Sequence, residues 1–320
     1  MSGLANIFLT AGLLAVQFDY GLENTNIITC DEYDRLGDYN RLRADINLDH
    51  PELDGFSAKL ILDNETRYSE QPSSFTNKSK IYRAYLEYAG EKHFWVIGRQ
   101  RVPFGVGRIW NPIDVFNPIN SLAVEVDERT GTEAIRYEYA LSPLANFDIT
   151  ISRDKSAARI KGYLEFADFA LVAVADNDND RDIIGWEIEG ELFESGIELR
   201  SEGGGFHNRT TGRRHTEFIC GVEYGFANSL TMLGEYYFND QTQIDHLGCT
   251  VSYQPATLWS MRLLHIINLD DHSSFTTPSI EYSLSDEMII SGGVFIYQGG
   301  SDDEFGVQAD QFYLRWFVHF

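Results

Sequence analysis

Apolar and polar residues trade places at every second position along most of this chain, and that period leaves few folds open to it. Leu42, Ala44, Ile46 and Leu48 alternate with Arg41, Arg43, Asp45, Asn47 and Asp49. Ala58, Leu60 and Leu62 oppose Lys59, Asp63 and Glu65, and Tyr82, Ala84, Leu86 and Tyr88 oppose Arg83 and Glu87. Further on, Ile184, Trp186, Ile188 and Leu192 oppose Glu187, Glu189 and Glu191, while Phe218, Cys220, Val222, Tyr224 and Phe226 oppose Glu217 and Glu223. A period of two belongs to strands that separate two unlike environments. Neither a helical period nor an internal repeat competes with it. Counted this way the chain holds about 18 strands (16–18), an even number within the range of membrane barrels.

Composition narrows the partners. The formal charge of -24, from 25 Lys+Arg against 49 Asp+Glu, excludes nucleic acid, whose phosphates need a basic footprint. No run reaches the roughly 18 apolar residues of a membrane helix. The longest, Ile7 to Val16, has no basic residue before it, so it reads as strand rather than export signal, with Phe8, Gly12, Leu14, Val16, Phe18 and Tyr20 on one face. The chain therefore reads as a mature protein. The three cysteines have no CxxC spacing. Cys220 and Cys249 fall on strands two apart, too distant for a disulfide, and Cys30 falls in a loop, so all three read as free thiols.

Connections alternate too. Short ones fall near 51–55, 90–92, 142–145, 167–168, 194–196, 227–229, 255–256 and 285–287; longer polar ones span 24–37, 69–79, 102–131, 176–182, 203–212 and 299–306. Beside the short turns sit Phe56, Tyr88, Phe94, Tyr139, Phe147, Phe166, Phe169, Phe226, Tyr253, Trp259, Tyr282 and Phe320. Aromatic rings gathered at one depth form a headgroup-level girdle; a soluble sandwich has no reason to place them at one end of every hairpin. The expected fold is all-β, a single closed antiparallel transmembrane β-barrel over residues 1–320.

The last strand has Phe312, Leu314, Trp316, Val318 and Phe320 on one face, with Gln311, Tyr313, Arg315 and His319 on the other. This ending resembles the C-terminal strand of bacterial outer-membrane β-barrels, and the chain as a whole resembles their porins. That resemblance implies a water-filled channel for passive diffusion of ions and small hydrophilic solutes, with lipid and lipopolysaccharide around it. It also implies periplasmic termini and short turns, extracellular long loops and a homotrimer as one possible assembly. Two other readings stay open. One is a channel selective for anions or sugars, using the arginines with Trp95 and Tyr85. The other is a structural sleeve around a partner such as an electron-transfer cytochrome.

With the apolar face outward, the charges line the interior and divide by strand. Arg41, Arg43, Lys59, Arg67, Arg83, Arg99, Arg101, Arg136, Arg159 and Lys161 form a basic wall. Glu187, Glu189, Glu191, Glu198, Glu202, Glu217, Glu223 and Glu235 form an acidic one, with Arg200 as exception. Strands about half the barrel apart face each other, so the walls are expected to oppose and to set up a transverse field.

The long loop 102–131 is expected to fold into the lumen. Asn111–Pro112 and Asn117–Pro118 favour turns there, and Phe104, Ile109, Trp110, Val115 and Phe116 need burial. Arg99, Arg101, Arg108, Trp110 and Asp114 are then constriction candidates. Asp176, Asp178, Asp180 and Asp182 repeat with calcium-loop spacing, but Arg181 stands where that loop needs glycine. The expectation is a solvated acidic turn, with weak extracellular calcium binding as the further possibility. HExxH and GxSxG are absent and the histidines scatter, so no enzyme and no cofactor beyond calcium is expected.

Overall fold

The computed structural model describes residues 17–49, 53–70, 72–126 and 128–320. The first hairpins are long: β1 (Gln17–Asp31), β2 (Leu36–Asp49), β3 (Phe56–Ser69) and β4 (Ser74–Ala89). Shorter strands follow: β5 (His93–Gln100), β6 (Thr132–Ser142), β7 (Ala145–Ser152), β8 (Lys155–Leu164) and β9 (Ala167–Asp176). The next group is β10 (Arg181–Glu191), β11 (Ile197–Asn208), β12 (Arg214–Gly225), β13 (Leu230–Asn239) and β14 (Ile244–Ala256). The series ends with β15 (Trp259–Asn268), β16 (Ser274–Ser285), β17 (Met288–Gln298) and β18 (Gln311–His319).

These make one 18-stranded antiparallel sheet in which each strand pairs with its neighbours in sequence. β18 also pairs with β1, from Glu23 opposite His319 to Asp31 opposite Gln311, and so closes the ring. A closed ring leaves no strand edge with unpaired amides, the requirement for crossing lipid with strands. Phe8, Gly12, Leu14 and Val16 lie outside the described residues. Phe18 and Tyr20 open β1, with Tyr20 exposed on the outer face.

The alternation sorts as its period demands. Leu42, Leu86, Ile135, Leu171, Ile184 and Leu247 are exposed on one face, while Arg41, Arg43, Asp63, Asp148, Glu202 and Glu235 are buried on the other. Outer-face aromatics pair across neighbouring strands: Phe56 with Tyr88 (4.6 Å), Trp95 with Tyr137 (4.3 Å) and Trp259 with Tyr282 (4.5 Å).

Several boundaries differ from the sequence expectation. The stretches 24–37, 69–79 and 203–212 are mostly strand and 176–182 is partly so, leaving turns of 32–35, 70–73, 177–180 and 209–213. Cys30 is thus on β1, and all three cysteines are free thiols. Asn and Thr there do not break the ladder because their side chains bond one another across the outer face. Asn26 Nδ2 donates to Asn24 Oδ1 (2.5 Å), and Asn77 Nδ2 donates to Thr66 Oγ1 (2.8 Å). The long connections are 101–131 and 299–310.

Two strands also carry shifted phases. In β4, Ile61 faces Arg83 while Leu62 faces Ile81, so Tyr82 is an extra residue and is buried beside Arg83 rather than outside. In β5, Val96 and Gln100 are buried, whereas Trp95 and Ile97 are exposed. Ile97 lies between Leu86 and Ile135, so pairing sets a phase that apolar residues at both parities left ambiguous. Phe94 therefore leaves the girdle and stacks under Arg136 (5.8 Å).

Replacing Ile184, 76% exposed on the outer face, by Arg is expected to lower folding stability in lipid vesicles by about 2–4 kcal/mol if it sits near the midplane. Urea titration reads this, and parent-like stability would show that this face does not meet lipid.

Candidate functional site

The connection 101–131 is held by carboxylates that rise from three strands on the charged face. Glu187 of β10 accepts the Gly105 N–H at 2.9 Å. Glu202 of β11 accepts Val106 (2.5 Å) and Gly107 (2.8 Å) on one oxygen and Ile113 (3.4 Å) on the other. Glu235 of β13 accepts Arg108 (3.0 Å), Ile109 (3.0 Å) and Trp110 (2.8 Å). A turn that aims successive N–H groups at one anion is a nest, and glycine makes this one possible. Gly105 has φ +80, and a side chain there would strike Asn111 and Glu202.

Apolar contacts complete the hold. Val102, Phe104, Ile113, Val115 and Phe116 pack with Ala157, Val172, Val174, Ile183 and Phe206. Ile109 packs in a second cluster with Leu264, Ile266, Phe275, Phe295 and Phe305. Each such buried side chain contributes about 1.5–3 kcal/mol. Asn117 joins the ends of the segment: its Oδ1 accepts Val102 N–H at 2.6 Å and its Nδ2 donates to the Thr130 carbonyl at 2.5 Å.

The stretch after Asn117 meets the opposite side of the ring through charge. Glu125 takes a bidentate pair from Arg41 (2.9 and 3.0 Å) and lies 3.4 Å from Arg315. Glu128 takes a bidentate pair from Arg43 (2.8 and 2.9 Å) and approaches Arg41 at 3.2 Å. Burial works to raise the Glu128 carboxyl, but Arg43 and Arg41 hold it below its ordinary value. Arg43 is also bonded to Asp63 (2.7 Å) and stacks on Tyr82 (4.0 Å).

Space remains beside this stretch. A cavity of about 640 Å³ lies against Tyr39, Arg41, Glu65, Arg67, Lys80 and Tyr82. A second, of about 300 Å³, lies against Ser260, Arg262, Glu281, Tyr313 and Arg315. Val124, Glu125 and Glu128 border both. A third adjoins Lys59, Arg83, Tyr85, Arg101 and Arg136. The side chains of Arg101 and Arg262 have no ion-pair partner among the described residues.

The basic residues named from the sequence do not form a bare positive wall. Lys59 pairs with Asp45 (3.1 Å), Arg136 with Asp148 (2.6 Å), Arg159 with Glu187 (3.4 Å), and Arg83 donates to the Arg129 carbonyl (2.6 Å). Arg99 is a correction: β5's phase sends it to the outer face, where it pairs with Glu133 (2.5 Å). Lys161 is half-buried near the short turn 143–144.

On the acidic side, Arg200 binds Glu189, Glu198 and Glu223 (3.3, 3.0 and 2.8 Å), and Arg108 adds a contact to Glu189 (3.0 Å). Glu217 accepts from Tyr237 (3.0 Å), and Glu191 accepts the Gly196 N–H (2.6 Å). Trp110 stacks on Tyr237 (5.7 Å). Both walls are thus interleaved with opposite charge, which weakens a transverse field. Glu125 and Glu128 escaped the sequence reading because their partners Arg41, Arg43 and Arg315 lie far away in sequence.

The acidic turn expected at 176–182 is a hairpin whose carboxylates meet basic side chains. Asp176 binds Arg181 (3.0 Å), Asp178 lies near Lys155 (3.7 Å), and Asp180 and Asp182 share Arg209 (3.3 and 3.8 Å). No group of three metal-ligating side chains converges among the described residues. Spaced along a hairpin, these carboxylates meet cations rather than one another.

No family model and no curated protein matches the sequence. Solved structures do. Pseudomonas aeruginosa OccK5 (OpdH) superposes with TM-score 0.66 at 8% identity, over 95% of this chain and 97% of that one. The outer membrane protein OprD of Pseudomonas aeruginosa gives 0.64 at 9%, over 95% and 93%. A mutant Rh. blastica porin gives 0.56 at 10%, over 95% and 100%. Likeness at these identities establishes a shared fold, that of outer-membrane porins.

Glu202→Ala removes the acceptor of three amides and is expected to cut exchange protection at Val106 and Gly107 about tenfold or more while strand amides keep theirs. Amide hydrogen exchange measures this, and unchanged protection would mean the apolar clusters alone hold the segment.

Asp114 yields a pH prediction. Burial pushes its carboxyl up to about 6 from 3.8, against the pull of the Asn117 N–H and Arg129. One of its oxygens is buried without a hydrogen bond. A raised acid binds its proton more tightly when folded, so its stabilisation is full below about pH 4 and fades as pH rises through about 6. Asp114→Asn should flatten that slope, seen as pH-independent thermal unfolding between those values.

Proposed function

We propose that this protein is a porin of the bacterial outer membrane, a water-filled passage for passive diffusion of ions and small hydrophilic solutes, narrowed by its segment 101–131. One observation carries the reading. That segment contacts the charged face of β2 through Arg41 and Arg43, of β8 through Arg159, of β10, β11 and β13 through three glutamates, and of β18 through Arg315. Strands on all sides of a closed ring are within reach only from inside it. An apolar exterior, a charged interior and a folded-in segment flanked by polar cavities are what a restricted aqueous pore needs.

The porin fold favours the same reading, as does the polar character of the space left open. The start of β1 at Gln17 and the end of β18 lie at the rim opposite the long connections 101–131 and 299–310, a rim that we take as periplasmic. The two cavities on either side of Glu125 and Glu128 mark the path, and their modest size supports small solutes. Paired arginines at the junction also favour some selectivity for anionic solutes over free diffusion. A sleeve around another protein fits less well, since 101–131 takes up the space such a partner needs.

Purified protein in a planar bilayer is expected to give discrete ohmic current steps, and replacing 103–129 by a short Gly-Ser linker should raise the conductance severalfold. Arg101→Gln with Arg262→Gln should move the reversal potential in a salt gradient towards cations, while Arg99→Gln, on the outer face, should leave it in place. A bilayer that stays silent overturns the channel, and an equal shift from Arg99→Gln overturns the path.

A further inference from the structure

The outer face of β1–β4 is not uniformly apolar. Asn24 and Asn26 of β1, Asn40 of β2, Asn64 of β3, and Asn77 and Ser79 of β4 share the face of the exposed Leu22, Leu42, Leu62 and Ile81. Pairing places Asn26 opposite Asn40, Asn40 opposite Thr66 and Asn64 opposite Ser79, so these side chains form one island. Exposed apolar residues flank it along the strands: Leu22 and Ile28 on β1, Leu62 and Tyr68 on β3, Ile81 and Phe75 on β4. From this island we propose that the outer face of β1–β6 is a contact surface for a second copy of this chain.

An ion pair extends the island onto the next two strands. Arg99 of β5 and Glu133 of β6 meet on the same outer face. β5 has only 8 residues, roughly 20 Å of height at a rise of ~3.3 Å and a tilt of ~40°. That is less than the apolar band of about 25 Å, so the pair at the end of β5 stays at lipid depth. Further round the ring this face presents Leu171, Ile184, Leu199, Val222, Leu247 and Leu263.

Hydrocarbon cannot serve these groups. Asn40 Nδ2 donates to Asn26 Oδ1, Asn64 Nδ2 to Ser79 Oγ (2.9 Å) and Asn77 Nδ2 to Thr66 Oγ1 (2.8 Å). The Ser79 and Thr66 hydroxyls are left to donate, and Asn40 Oδ1 to accept, without a partner among the described residues. Polar groups and close packing, rather than apolar surface, decide where proteins meet within lipid. An identical island supplies both acceptors and donors, and Arg99 with Glu133 brings one charge of each sign. The surface is therefore complementary to itself, although the chain as a whole carries a charge of -24. Six strands at ~4.8 Å spacing across a band of about 25 Å give roughly 600 Å² per copy, the lower end of what a stable interface takes.

Sedimentation equilibrium in density-matched detergent micelles tests this. The parent is expected to associate reversibly beyond a single chain. Asn26→Leu with Asn40→Leu and Asn64→Leu should weaken that association about tenfold or more, the loss of one or two hydrogen bonds made away from water. Arg99→Gln with Glu133→Gln, a milder change to the same surface, should weaken it as well. Trp186→Phe with Ser201→Ala removes a hydrogen-bonded pair (3.1 Å) from the outer face of β10 and β11 and should leave the association at the parent value. Folding of each variant is checked by faster gel migration unboiled than boiled.

A parent that sediments as one chain overturns the proposal. An association that survives both changes to the island overturns it too, because apolar surface elsewhere then holds the copies. Equal weakening from the Trp186 and Ser201 pair overturns its place on β1–β6. Association is read without ion flow, so a silent bilayer removes the channel reading and not this contact.

Discussion

Closure of the sheet by β18 against β1 is the interaction on which the rest depends. Once the ring is shut, every strand has two neighbours, and backbone polarity is spent within the wall. Two surfaces of opposite character remain. The exterior takes Leu42, Leu86, Leu171 and Ile184, and the interior is left with arginines and carboxylates that must find partners in a confined space.

That confinement explains the segment 101–131. A long connection outside a barrel is solvated on most sides, but here it meets wall on several. Glu187, Glu202 and Glu235 need donors once they are buried, and the turn around Gly105 and Gly107 offers a row of free amides. Val172, Val174, Ile183 and Phe275 face inward and need apolar cover, which Phe104, Ile113 and Ile109 supply. Wall and segment thus satisfy each other's buried groups.

The charges show the same interdependence at the site. Arg41 and Arg43 project from one strand, where two like charges two residues apart repel. Glu125 and Glu128 from the segment, with Asp63 from the next strand, turn that repulsion into a compact alternating network. The cavities lie along this network, so in the proposed channel the groups that stabilise the segment are also the groups a passing solute would meet.

How much of this was legible in the sequence follows from the range of each signal. Alternation is a property of neighbours in the chain, so the all-β class, the strand number and the outward faces of β2, β3, β10 and β12 could be read directly. It failed where both parities were apolar, as in Phe94–Ile97, because only pairing with β4 and β6 chose the face, and at Tyr82, because a bulge leaves no mark on composition. Loop lengths were overread because Asn24, Asn26, Asn64 and Asn77 bond across paired strands, to Arg41, Asn40 and one another, where the sequence shows only polar runs. The aspartates of 176–182 read from the sequence as a solvated acidic turn, but that Arg181, Lys155 and Arg209 lie against them could not be read from their spacing. The chain by itself thus determined a two-faced barrel wall with charges inside. Which charges meet, above all Glu125 with Arg41 and Glu128 with Arg43, was decided only by the tertiary structure, because partners more than 80 residues apart come together only after the ring has closed.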